Sequence, residues 1–126
     1  MFTNMEDGNY AVYKNKLYKA SIRENGELAL YSKTKDFPGF TESVFEGVYQ
    51  LIVKESEVSE AYELTTYGVI DGEKFDIVGK GDNGTILCTY DHKKAEKFSF
   101  MRVERCEYCK EVANCEFVQE RESILD

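Results

Sequence analysis

The chain contains an internal repeat, and this repeat constrains the fold more than any single residue does. Residues 10–18 align with residues 67–75, which pairs YAVYKNKLY with YGVIDGEKF. After one extra residue in the second copy, the Asn-Gly segment at residues 25–30 aligns with residues 83–88. A repeat of this length is one supersecondary unit. Two copies predict a pseudo-symmetric pair of small modules rather than an enzyme built around a single cleft.

Turn signals divide each copy into short strands. Residues 14–15 and 71–72 each interrupt a run of strand-forming residues, and the Asp-Gly pair of the second copy tolerates the positive φ of a type I′ turn. Asn-Gly turns follow at residues 25–26 and 82–84. Short strands bounded by turn signals at this spacing are typical of small antiparallel barrels. The predicted fourth strands lie at residues 48–53 and 105–112.

We therefore predict a mainly β protein made of two tandem SH3-like antiparallel barrel-type repeats packed together, with one or two short helical turns. The first repeat covers residues 1–64 and the second residues 65–126, in one compact pseudo-symmetric unit. Asp91 is predicted to cap a helical turn through residues 92–97 because its carboxylate can accept from the first free amides. The proline-containing segment at residues 32–45 is predicted to be a surface loop.

Chain length and hydropathy limit the class of protein. A chain of 126 residues suits one compact domain or two very small ones, whose separate cores would be marginal. No apolar run approaches the roughly 20 residues that span a bilayer, and residues 1–7 lack the basic flank and apolar stretch of a secretory signal. We expect a cytoplasmic protein without membrane contact.

The chain is acidic throughout. It has 16 Lys and Arg against 24 Asp and Glu, a net charge of −8 that is shared evenly between its halves. Such a field repels nucleic acid and anionic lipid and attracts basic partners, so no direct nucleic-acid binding is expected. A solvated acidic surface with no specific partner is the alternative interpretation.

The cysteines raise the question of a metal site. Two segments that each contribute thiolates can complete a tetrahedral Cys₄ zinc site. However, only Cys106 and Cys109 have the spacing of a CxxC pair, and on one strand their side chains would point to opposite faces. At three of the cysteine positions the first copy has Leu30, Gln50 and Ser56. We therefore interpret the cysteines as structural, expect no metal or cofactor, and expect no disulfide in a chain without an export signal. The less favoured zinc ligands are Cys88, Cys106, Cys109 and Cys115.

No catalytic residues are predicted. His92 is the only histidine, which excludes multi-histidine metal sites, and its place at a helix start favours an exposed side chain. The Gly-rich segment at residues 79–84 lacks the Gly-Lys-Ser/Thr ending of a phosphate-binding loop. Nothing in the sequence sets the separation of a carboxylate pair for hydrolysis. A small zinc-dependent or hydrolytic enzyme is thus the least favoured interpretation.

Glutamates and tyrosines are the candidates for binding a partner. Tyrosines and phenylalanines that recur at equivalent positions in both copies are predicted to lie in the core: Tyr10, Tyr18, Tyr67 and Phe75. Carboxylates displayed beside other aromatic side chains suit docking onto a Lys- and Arg-rich protein. The predicted partner-binding residues are Glu55, Glu57, Glu60, Glu63, Glu104, Glu107, Glu111, Glu116, Tyr31, Tyr62 and Tyr90.

One loose pattern extends over residues 9–120. It consists of Tyr-x-Val before a turn, Asn-Gly before an apolar strand that ends in Tyr, and then Tyr-x-x-x-Val. This pattern resembles small acidic proteins that accompany secreted polymorphic toxins in Gram-positive bacteria. Those proteins are immunity proteins, which bind a cognate toxin domain, often a basic nuclease, and block its active site. The resemblance implies a non-catalytic inhibitor of a basic toxin domain, and an SH3-like peptide- or protein-binding adaptor is the alternative.

Overall fold

The computed structural model of the protein describes residues 5–125, and these form a mainly β structure, as predicted. Among them, no helix is long and apolar enough to cross a membrane. The strands are β1 Gly8–Tyr13, β2 Lys16–Ile22, β3 Glu27–Ser32, β4 Thr41–Glu42, β5 Tyr49–Lys54, β6 Glu60–Ile70, β7 Glu73–Gly81, β8 Gly84–Thr89, β9 Met101–Glu104, β10 Glu107–Val112 and β11 Glu116–Ser123. The helices are a 3₁₀ turn at Glu55–Glu57 and the α-helix α1 at His92–Lys97.

Two hairpins form where local turn chemistry favours them. Lys14 and Asn15 have φ values of 48° and 64°, and Asp71 and Gly72 have 49° and 82°. Positive φ at both central residues defines the type I′ turn, whose twist matches that of the flanking strands. The β1–β2 and β6–β7 hairpins predicted from the sequence are therefore confirmed.

The strand order is β4-β5-β3-β2-β1-β6-β7-β8-β10-β9, and β11 pairs with β6. The same pairing pattern occurs twice, in strands β1 to β5 and in strands β6 to β10. Each set begins with a three-strand meander. A six-residue strand then pairs with the third strand of the meander, and a short strand lies outermost. Within residues 5–125, β4 and β9 end this order and do not pair with each other, so the sheet is not closed. The predicted barrel-type repeats are not confirmed. The outermost strands, of 2 and 4 residues, offer few backbone groups for closing a barrel.

The described residues divide into two compact units. The first unit contains residues 5–65 and 121–125, and the second unit contains residues 66–120. Strand β6 contributes to both, because the division falls between Thr65 and Thr66. The sequence-based division lay one residue earlier and assigned the whole C-terminal segment to the second repeat, whereas its last residues pack in the first unit.

The first unit has its own apolar core. Its buried cluster consists of Ala11, Tyr18, Leu28, Leu30, Phe40, Val53, Val58 and Ala61. Phe40 is only 5% exposed, and its ring lies 5.9 Å from that of Tyr18. The segment predicted as a surface loop therefore contributes a core residue just before β4.

The second unit is built around an aromatic cluster. The ring of Phe75 on β7 lies 4.8 Å from that of Phe100 and 5.3 Å from that of Phe98. Helix α1 holds these residues against the sheet, and Asp91 caps it by accepting from the amides of Lys93 and Lys94 at 2.9 and 3.2 Å. The helix and its N-cap are confirmed as predicted.

Candidate binding surface

The three predicted partner-binding tyrosines differ in exposure. Tyr62 is only 3% exposed, its ring lies 5.8 Å from that of Tyr10, and the Arg121 guanidinium lies 4.4 Å from its ring centroid. Tyr62 packs with Tyr10 and Leu64 in a small buried cluster on strands β1 and β6, so its side chain is not displayed to a partner as predicted. Tyr90, by contrast, is 65% exposed.

Tyr31 is half-buried and has local contacts. Its hydroxyl lies 2.8 Å from the Ser21 hydroxyl on the neighbouring strand β2. Its ring meets that of Phe45 edge-on at 6.3 Å. Tyr31 is therefore already engaged by Ser21 and Phe45 within the first unit.

The first glutamate group is dispersed along the chain. Glu57 accepts the Lys54 amide at 2.9 Å and so closes the 3₁₀ turn, while Glu60 pairs with Arg121 at 3.6 Å. Glu55 is half-buried at the start of that turn, and Glu63 is exposed on β6. Two of these four carboxylates, those of Glu57 and Glu60, are thus already engaged within the chain.

The second group is partly brought together by the β9–β10 hairpin. Glu104 and Glu107 lie directly opposite each other across it, and the Tyr90 hydroxyl donates to Glu107 Oε2 at 2.9 Å. The Glu107 carboxylate raises the pKa of Tyr90, so the phenol keeps the proton that it donates. Glu111 instead accepts the Asn83 amide at the β7–β8 turn, and Glu116 is exposed at the start of β11.

Strand β9 adds apolar area next to these carboxylates. Met101 and Val103 are 76% and 54% exposed, and β9 has no strand partner on its outer side within residues 5–125. Among the described residues, no cation pairs with Glu104 or Glu107. We call Tyr90, Met101, Val103, Glu104 and Glu107 the β9 surface.

A row of directly paired residues crosses the second unit and includes two cysteines. It runs through Met101, Cys109, Cys88, Asp76 and Tyr67, one residue from each successive strand. Directly paired residues point to the same face of a sheet. Leu87 lies in the aromatic core, so its neighbour Cys88 and the whole row face the other side.

Cys88 and Cys109 form a disulfide, contrary to our expectation of unpaired cysteines. Their direct pairing across β8 and β10 brings the two β-carbons together, which sequence spacing does not reveal. Cys106 is exposed at the β9–β10 turn, and Cys115 is a half-buried thiol whose pKa is raised by burial. The structure therefore does not bring the four cysteines into one Cys₄ cluster.

A small open cleft adjoins the disulfide. Its volume is about 350 Å³, and Tyr67, Asp76, Cys88 and Tyr90 are among its lining residues. At one end the Lys94 Nζ donates to the Lys74 carbonyl at 2.9 Å, next to where the β7–β8 pairing stops. The rings of Tyr67 and Tyr90 and the charged side chains of Asp76 and Lys94 all line this cleft.

A second exposed apolar element was missed by the sequence analysis. Val44 and Phe45, at the turn between β4 and β5, are 93% and 60% exposed. The Ser43 hydroxyl donates to the Val48 carbonyl at 2.7 Å and accepts the Phe45 amide at 3.1 Å, which holds the turn in shape. We call Val44 and Phe45 the β4–β5 tip. The sequence feature that could have predicted this tip is the pair of adjacent apolar residues within the predicted surface loop.

Comparisons with known proteins match the chain to one family but to no curated protein or solved structure. A family profile described as "Uncharacterised conserved protein UCP033725" matches residues 5–125. Neither the comparison with curated proteins nor the comparison with solved structures found a match.

Proposed function

The chain belongs to the family of uncharacterised conserved proteins UCP033725, and we propose that it is a non-catalytic, cytoplasmic immunity protein that binds and inhibits a basic toxin domain. The proposal regards the two units as SH3-like modules in tandem. The observation that most supports the immunity proposal is the β9 surface. There, exposed Met101 and Val103 adjoin Glu104 and Glu107.

The composition of the β9 surface matches that of a protein-binding site. Aromatic residues and methionine are enriched at interfaces, and anchors of this kind supply most of the binding energy. Tyr90 is held by its hydrogen bond to Glu107, so less side-chain entropy is lost when a partner docks. The β4–β5 tip is a second exposed apolar element that a partner could contact.

The acidic charge of the chain favours a basic protein over a nucleic acid as its binding partner. With a net charge of −8, the chain attracts a cationic surface and repels phosphate. A toxin nuclease needs basic residues to hold its own substrate, so carboxylates such as Glu104 and Glu107 would compete for the same groups. Inhibition by contact requires no catalytic residue in this chain.

The test uses purified toxin domains from the producing cell's repertoire. Each is titrated with the chain by calorimetry and assayed for residual toxin activity. We expect one basic domain to bind, to lose its activity, and to bind more weakly as salt rises. The double substitution Glu104→Gln with Glu107→Gln should lower the affinity more than tenfold, or about 1.4 kcal/mol.

The matched control is Glu24→Gln with Glu27→Gln, which removes the same charge from the first unit. This control should change the affinity only through long-range attraction, by less than the β9 pair. Failure of every toxin domain to bind would refute the immunity proposal. Equal losses in the two double variants would refute the β9 surface as its location.

The adaptor alternative is favoured by one specific feature, the free outer side of β9. An extended peptide can add to such an edge through its backbone amide and carbonyl groups. Nuclear magnetic resonance titration with short extended peptides separates the two functions. Peptide-induced shifts confined to β9 and the neighbouring β10, without binding to any folded toxin domain, would support the adaptor.

A further inference from the structure

The row of paired residues in the second unit places three metal-binding groups side by side. Cys88 and Cys109 are direct partners across β8 and β10. Glu107 lies two residues before Cys109 on β10, so strand alternation turns both side chains to the same face. The two sulfur atoms and a carboxylate oxygen of Glu107 all lie within 4.8 Å of one another.

We propose that, when the Cys88–Cys109 disulfide is reduced, Cys88, Cys109 and Glu107 bind one Zn²⁺. Zinc takes thiolates at about 2.3 Å and carboxylate oxygens at about 2.0–2.2 Å, so tetrahedral ligands lie roughly 3.5–3.8 Å apart. The three donor atoms are already within reach of that spacing.

The ligand set selects the metal. Two thiolates disfavour Mg²⁺ and Ca²⁺, which prefer oxygen ligands, and the added carboxylate suits Zn²⁺. Three protein ligands leave a fourth position for water. This site differs from a Cys₄ site because Cys106 and Cys115 take no part in it.

Tyr90 supports the carboxylate ligand. Its hydroxyl donates to Glu107 Oε2 at 2.9 Å, which leaves the other carboxylate oxygen for the metal. Metal-binding carboxylates are commonly oriented by such outer hydrogen bonds, whose loss weakens metal binding about 10- to 100-fold. The row also places Asp76 next to Cys88, adding negative charge near the cation.

Zinc binding and the disulfide exclude each other. A dithiol reductant transfers two electrons and two protons to the disulfide, is itself oxidised to a disulfide, and leaves two thiols on the chain. Zinc then displaces both thiol protons into solvent as the thiolates coordinate it. The oxidised chain has no thiolate at this place. The site is therefore available only in the reduced chain, and this inference does not depend on the proposed immunity function.

The experiment uses the full chain with Cys106→Ser and Cys115→Ser, so that only the two paired cysteines remain. A phosphine reduces the disulfide, taking an oxygen atom from water while the water hydrogens go to the two sulfurs. Zinc chloride is then titrated without oxygen, and bound metal is counted by elemental analysis. We expect one Zn²⁺ per reduced chain and none per oxidised chain. Co²⁺ should give the thiolate charge-transfer band of two sulfur ligands.

Further substitutions in that chain identify the ligands. Cys88→Ser or Cys109→Ser should abolish binding, and Glu107→Gln should weaken it at least tenfold. Glu24→Gln, an exposed glutamate of the first unit, is the matched control and should leave affinity within about twofold. Tyr90→Phe should weaken binding about tenfold without changing the stoichiometry.

The proposal would be overturned if the reduced chain bound no zinc, if zinc were retained after Cys88→Ser, or if the natural chain bound zinc that was lost with Cys106→Ser and Cys115→Ser. Circular dichroism and thermal unfolding of each variant show whether a loss reflects unfolding. A variant that keeps its fold and still binds zinc without Cys109 would also contradict it.

Discussion

The Asp36 carboxylate accepts several hydrogen bonds within the first unit. It accepts the Lys16 ammonium at 2.7 Å and the Tyr18 hydroxyl at 2.8 Å, and two further hydroxyls, of Ser32 and Thr34. The Lys16 ammonium holds the pKa of Asp36 well below its usual range. Burial, followed by the hydrogen bond to Asp36, raises the pKa of Tyr18 to about 12. One carboxylate thus connects strand β2 to the segment that follows β3.

We expect Asp36 to make the chain acid-sensitive. Because its pKa is lower in the folded chain, its stabilisation is present above the unfolded value of about 3.9 and is lost as the pH falls below it. Asp36→Asn should therefore destabilise the chain near neutral pH, and this disadvantage should shrink progressively as the pH falls from about 4 towards 2. Urea unfolding of both proteins across that range measures the free energy of unfolding.

The exposed Asp82 provides the control for acid sensitivity. Asp82→Asn should leave the pH dependence close to that of the natural chain, because no described cation pairs with that side chain. Parallel stability curves for the natural chain and Asp36→Asn would contradict the role of Asp36.

At the scale of elements, the β7–β8 turn packs closely against the end of β10. Gly84 has a φ of +152°, and a β-carbon there would lie 2.2 Å from the Val112 carbonyl oxygen. The Glu111 carboxylate also accepts the Asn83 amide in this turn. The turn therefore requires a glycine for both backbone conformation and space.

Gly84→Ala should destabilise the chain by about 2–4 kcal/mol, because the backbone of β8 or β10 must move. Gly79→Ala is the matched control on β7, where a β-carbon would meet no atom within 4 Å and φ is not left-handed. That variant should stay within about 1 kcal/mol of the natural chain. Equal unfolding free energies for the two variants, measured in urea, would disprove the close packing.

The disulfide is the second element-scale constraint. It joins residues 21 apart in sequence, β8 to β10 across α1 and β9. In the chain-entropy model, a cross-link that closes a loop of this length stabilises the folded chain by about 3 kcal/mol, because it lowers the entropy of the unfolded chain. Reduction in the presence of a metal chelator should lower the free energy of unfolding by about that amount.

The chain with Cys106→Ser and Cys115→Ser serves as the reference for this measurement, because it cannot form other disulfides. Adding zinc to the reduced chain should recover part of the loss, since a ligand that binds only the folded state stabilises it. Unchanged stability on reduction would contradict a stabilising cross-link.

At the scale of the whole molecule, the acidic charge governs solution behaviour. The net charge is −8 and the isoelectric point about 4.8. Self-repulsion keeps such a chain dispersed at neutral pH, and association increases as the net charge approaches zero. We expect a solubility minimum near pH 4.8, measured by light scattering. Glu104→Gln with Glu107→Gln should move the minimum upward, and an unmoved minimum would show that exposed apolar area dominates instead.

The sequence alone determined the features that depend on neighbouring residues. Lys14-Asn15 and Asp71-Gly72 adopt positive φ because the turns require it, and the Asp91 carboxylate caps α1 because it is next to the free amides. The core positions of Tyr18 and Phe75 also followed from their recurrence at equivalent positions in the two copies. The two type I′ hairpins, helix α1 and the overall acidity could therefore be predicted from the sequence alone.

The tertiary structure alone decided which distant residues meet. Aligning the copies placed Cys88 at the position of Leu30, a core residue, yet its neighbour Leu87 takes the core position and Cys88 faces the other side. A shift of one residue reverses every side chain of a strand, so a loose alignment cannot assign faces. The Cys88–Cys109 pair, the burial of Tyr62 and the open strand order all depend on pairing between residues far apart in sequence. Such pairing is set by the packing of whole strands rather than by local backbone preference.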